Sequence, residues 1–134
     1  MTFAGINYLA VVLAAVAGFF VGWPWYMAFG KYWAAALGKD PNKPPKPTPA
    51  PFIILIAAEL VLAFVLAGLI GHMGEVTLKT GLISAAFAWA GFVLTTMVAN
   101  HAFQGFGRNL TLVDGGHWLA VMLVMGAVIG TMGV

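Results

Sequence analysis

No cysteine occurs in the 134-residue chain. Disulfides, thiolate nucleophiles and Cys-ligated zinc or iron–sulfur sites are therefore excluded. Charge is nearly as scarce. Asp, Glu, Lys and Arg together make up 7% of the residues, against 62% hydrophobic. The surface of a water-soluble domain needs several times that charge. Catalytic signatures are missing too: there is no Ser–His–Asp order, no phosphate-binding glycine loop and no metalloprotease helix.

What fills the chain is four apolar stretches, at about Ile6–Phe29, Phe52–Gly71, Thr80–Ala102 and His117–Gly133. About 20 mostly apolar residues suffice to cross a bilayer as a helix. The sequence therefore predicts an all-α, four-helix transmembrane bundle with short loops, one domain over residues 1–134. Ala15-Val16-Ala17 resembles a signal cleavage site. No Lys or Arg precedes the first apolar run, however, and the run continues past that site, so a retained helix is expected.

Six basic residues face four acidic ones. In so apolar a chain this excess reports topology rather than nucleic-acid binding. Lys31, Lys39, Lys43 and Lys46 lie between helices one and two, and Arg108 between helices three and four. Only Lys79 lies in the second loop. Loops one and three are thus expected in the cytoplasm and both termini outside, as in a multi-pass protein of the bacterial inner membrane. Trp23, Trp25, Tyr26, Tyr32, Trp33 and Trp118 would anchor the cytoplasmic interface.

The first loop divides in two. Residues 31–38 read as a short interfacial helix. The Pro-rich segment 40–51 holds six prolines and reads as extended polyproline II, a stiff spacer or a ligand for a partner.

Small residues mark the faces expected to pack closely, because lipid supplies no hydrophobic drive for helix association. Ala10, Ala14, Gly18 and Gly22 recur every four residues in helix one. Ser84, Ala88, Gly91, Thr95 and Ala99 form a second stripe in helix three, and Gly126 and Gly130 a GxxxG pair in helix four. The pattern serves equally for packing within one chain or between chains.

Ionisable groups inside a membrane are costly and mark candidate sites. Glu59 lies about two turns into helix two, on one face with Ala63 and Ala67. Asn100, His101 and Gln104 end helix three, and Asp114 and His117 open helix four. With Trp25 and Tyr26 these would surround one polar pocket. Asn7 is expected to cap helix one. Thr111-Leu-Val-Asp114 resembles a capping box, and Asn100, Arg108 and Asp114 are expected to form one hydrogen-bonded unit. Glu59, His101, Asp114 and His117 are residue types that ligate divalent metals, but at an unspecific spacing. Neither histidine carries a haem signature. A proton or solute path through Glu59 is the stronger functional reading. The bland alternative is a set of capping, lipid-facing and interhelical groups.

Two groups of residues form a recognisable pattern. At the front they are Asn7-Tyr8-Leu9-Ala10, Trp25-Tyr26, Phe29-Gly30-Lys31 and Trp33. At the back they are Gly91-Phe92, Thr95-Thr96, Asn100, Phe103, Gly105, Arg108, Asp114, Gly116, Met125-Gly126 and Ile129-Gly130. With them the chain resembles a family of small bacterial membrane proteins known as domain of unknown function 1761. The resemblance implies four membrane helices and no established activity. It departs at His101, where the family has Tyr, at His117, where it has an aromatic residue, and at Pro24. It therefore favours Asn100, Arg108 and Asp114 over the histidines as a shared cluster.

The expected function is a non-catalytic, self-associating or accessory subunit of a membrane complex. Its partners would be membrane lipids and either copies of itself or a larger complex, with no cofactor, no metal and no nucleic acid. The alternative is a small proton- or cation-coupled transporter or channel using Glu59.

Overall fold

The computed structural model describes residues 5–43, 46 and 48–133. Four helices follow one another: α1 (Tyr8–Ala36), α2 (Pro49–His72), α3 (Leu78–Phe103) and α4 (Arg108–Met132). Each is long and apolar enough to cross a membrane, and no strand occurs among the described residues.

α1 starts where Asn7 accepts a hydrogen bond from the Ala10 amide, as expected for a cap. It does not break at Phe29. Its 29 residues measure about 44 Å at 1.5 Å per residue, well over a hydrocarbon core of about 30 Å. The expected interfacial helix is thus the last turns of α1, extended toward the head groups. Gly38, at φ +75°, ends it in a left-handed turn in which the Lys39 amide donates to the Ala34 carbonyl.

In the proline-rich segment, Pro44, Pro45 and Pro47 lie outside the described residues. Its far end is helical, contrary to expectation. Pro49 and Pro51 occupy the first turn of α2 after the Thr48 cap, where a missing N–H has no intrahelical partner to lose.

α3 opens on reciprocal Thr77–Thr80 hydrogen bonds, a capping box. A π-helical turn interrupts it at Trp89–Leu94. Thr95 and Thr96 donate their hydroxyls to the carbonyls of Gly91 and Phe92 along this turn. The wider turn rotates everything after it. Gly81, Ala85 and Ala88 are buried, whereas Gly91, Thr95 and Ala99 are exposed. The expected stripe of helix three is therefore broken.

α4 begins at Arg108 behind the Gly107 cap, nine residues before the expected His117. Asp114 is thus almost two turns inside the helix and caps nothing. α4 touches all three other helices, and α1 and α3 do not meet among the described residues. In its most apolar stretch 44% of the residues are buried, against 11% in α3, which makes α4 the centre and α3 the periphery. The core holds Ala14, Ala63, Leu66, Ala67, Ile70, Val121, Met122, Met125 and Ile129. Met73, at the end of α2, is 74% exposed.

Glycines set how near α4 lies to its neighbours. A methyl group on Gly126 would strike the Gly81 carbonyl, and one on Gly130 the Thr77 carbonyl. The GxxxG pair is thus used inside the chain, backbone against backbone with α3, where dispersion contacts are densest.

Candidate functional site

The functional candidates fall on the seam between α1 and α4. Ala10, Ala14 and Gly18 are buried along α1, and Gly22 is half-buried. A Cβ on Gly18 would lie 2.8 Å from Met125 Cε and 3.6 Å from Glu59 Oε1. A Cβ on Gly22 would lie 3.2 Å from His117 Nε2. Glu59 and His117 therefore meet α1 one helical turn apart, a rise of about 6 Å. One turn further on, the Tyr26 ring lies 5.0 Å from the His117 ring. Its hydroxyl donates to Asp114 Oδ1 at 2.6 Å. Gly18, Gly22 and Tyr26 thus line a polar file of Glu59, His117, Tyr26 and Asp114 that ends near the first and third loops.

Glu59 is 1% exposed and His117 4%. Both carboxyl oxygens of Glu59 and Nδ1 of His117 lack a hydrogen-bond partner among the described residues. The carboxyl is screened from lipid, as energetics requires, yet no neighbouring helix offers it a hydrogen bond among the described residues. Such a group costs roughly 1–3 kcal/mol. From Glu59 toward the opposite face, the buried residues are Ala63, Leu66, Ala67 and Ile70, which offer no polar side chain.

Two tryptophans brace the centre of the file. The Trp25 indole donates to the Val113 carbonyl at 3.0 Å. The Trp89 indole, from the π turn, donates to the Gly115 carbonyl at 2.9 Å. A methyl group on Gly116 would fall 2.7 Å from the Trp25 ring. Sequence reading missed this bracing, because the acceptors are backbone carbonyls on a distant helix.

The single expected pocket is two separate sites along α4. Asn100, His101 and Gln104 lie with Trp118 in a separate groove between α3 and α4. His101 Nδ1 lies 2.8 Å from Thr111 Oγ1. The expected Asn100–Arg108–Asp114 unit does not form. Asp114 bonds Tyr26, Arg108 and Asn100 are exposed, and no hydrogen bond or ion pair joins the three among the described residues. Arg108 and Asp114, both on α4 and six residues apart, project about 120° from one another. No three His, Asp or Glu side chains gather to hold a metal among the described residues.

A family model described as a protein of unknown function, DUF1761, matches residues 9–130. The chain belongs to the DUF1761 family. No curated protein and no solved structure matches it. The matched DUF1761 segment contains every residue of the polar file and every residue of the groove.

Proposed function

We propose that this DUF1761 protein is a small proton-coupled membrane protein in which Glu59 and His117 carry the proton. The observation behind this reading is the pair of buried ionisable side chains, a carboxyl and an imidazole with Nδ1 free, that lack hydrogen-bond partners among the described residues and meet successive turns of α1. Membrane proteins rarely retain such groups without a use for them. A proton suits the site better than a metal cation. Calcium and magnesium require about six oxygen ligands, whereas Met125 and Val121 crowd the position beside Glu59. Tyr26 and Asp114 extend the file to one face only, and the dry stretch beyond Glu59 gives one-sided access, as in a carrier at rest.

Reconstitution into liposomes with an internal pH-sensitive dye tests this. A potential-driven pH change should follow with the natural protein and vanish with Glu59→Gln, while helix content and elution volume stay unchanged. Equal flux in the two would overturn the reading.

A second reading, an accessory or self-associating subunit, draws on α3. Gly91, Thr95 and Ala99 face outward, a stripe of small residues that would accept a helix from another chain. The helix-one stripe and the GxxxG pair no longer support it, since their glycines contact α4 and α3 of the same chain. Mass measurement after mild detergent extraction separates the readings. Under either, loop charge supports an orientation with both termini outside the cytoplasm, and a bacterial inner membrane is the proposed location.

A further inference from the structure

The groove between α3 and α4 shares no residue with the proton file. It measures about 460 Å³, within the range of small-molecule sites. Its apolar wall is Phe92, Met97 and Trp118, and its polar end is Asn100, His101 and Gln104. No Lys, Arg, Asp or Glu lines it. The side-chain amides of Asn100 and Gln104 hold no hydrogen bond among the described residues, and the His101 ring uses only Nδ1.

Two independent features show a built site rather than a chance gap. Phe92 belongs to the π turn, a local departure that raises backbone cost and recurs at functional sites. The turn is held by Trp89 on the Gly115 carbonyl and by the Thr95 and Thr96 hydroxyls. The polar end also lies where α3 terminates, which the four-span reading places at head-group depth, and Phe92, 71% exposed, stands at the apolar end.

From this we infer that the groove binds a membrane-dissolved amphiphile whose head group is uncharged and carries hydroxyl or carbonyl oxygens. Two amides and one imidazole nitrogen match such a head in both donors and acceptors. With no formal charge in the lining, it offers no countercharge to a phosphate. Trp118, which forms the inner wall, packs edge-on against His117 at 4.9 Å. An occupant would therefore lie one side chain away from the proton file. The binding claim does not depend on that file carrying protons.

The test uses the full chain in phosphatidylcholine nanodiscs with a diazirine-bearing monoacylglycerol as probe. Photolabelling should concentrate on Phe92, Met97 and Trp118 and be competed by unlabelled monoacylglycerol. Met97→Trp, which fills the groove, should abolish that labelling. The double variant Asn100→Leu, Gln104→Leu should weaken competition about tenfold, at roughly threefold per lost amide contact. Phe87→Ala, on exposed surface outside the groove, should change nothing and reports on folding. Label spread evenly over exposed mid-span residues such as Phe87 and Val61 would overturn the inference. So would equal labelling of the groove by a diazirine phosphatidylcholine, which would mark bulk lipid.

Discussion

Tyr26 and Asp114 are 88 positions apart in sequence and 2.6 Å apart in space. Their hydrogen bond ties the loop-one end of α1 to the loop-three end of α4, beside the buried His117. A hydroxyl bonded to a carboxylate is among the stronger hydrogen bonds. Removing the donor leaves a half-buried carboxylate short of a partner.

A double-mutant cycle should therefore give Tyr26→Phe and Asp114→Asn a coupling of about 1–2 kcal/mol. The same cycle on Arg108→Gln and Asp114→Asn should give additivity within about 0.5 kcal/mol. Unfolding midpoints in detergent provide the measurement. Strong coupling of the second pair would place the ion pair in solution after all.

Glycines of the same composition should behave in opposite ways. Gly126→Ala forces a methyl into the Gly81 carbonyl and should destabilise by about 1–3 kcal/mol. Gly18→Leu should prevent assembly of the α1–α4 seam, while Leu13→Ile, on exposed surface, should be silent. Gly30 has open space around it, so Gly30→Ala should stabilise by about 0.5–1 kcal/mol through helix propensity. Thermal melts of the four variants check the order. A tolerant Gly126→Ala would mean that the α3–α4 crossing is looser than described.

The absence of cysteine makes topology directly testable. Single substitutions Lys43→Cys and His72→Cys put one thiol at either face. An impermeant thiol reagent applied to intact cells should label position 72 and spare position 43. The reverse pattern would invert the orientation and, with it, the side from which the polar file opens.

The four spans were legible because apolar length alone determines them. Helix ends were not, since a helix that leaves the hydrocarbon can continue through polar residues at little cost. Arg108–Gly116 and Lys31–Ala36 are both such continuations. Taking Arg108 as a loop residue also hid that it lies about 120° around α4 from Asp114, and so produced a cluster that does not form. Asp114 and His117, three apart on one helix, share a face by spacing alone. Glu59 stood out as the lone acid of an apolar run. Nothing in the sequence marked the π turn, so the small residues before and after it read as one continuous stripe.

Glu59 offers the sharpest separation of use from stability. Its carboxyl oxygens are buried and unpartnered among the described residues, an arrangement that lowers stability and that no packing argument favours. Methionine has similar length and fits irregular apolar gaps. Glu59→Met should therefore raise the unfolding midpoint, by the equivalent of about 1–3 kcal/mol, while proton flux in liposomes is lost. Glu59→Gln keeps a polar head in the same surroundings and should leave the midpoint nearly unchanged. A carboxyl kept to hold the bundle together predicts the opposite order, with Met the less stable variant. A fall in the midpoint of Glu59→Met would therefore sink the proton reading's central premise, that Glu59 is retained at a cost to the fold.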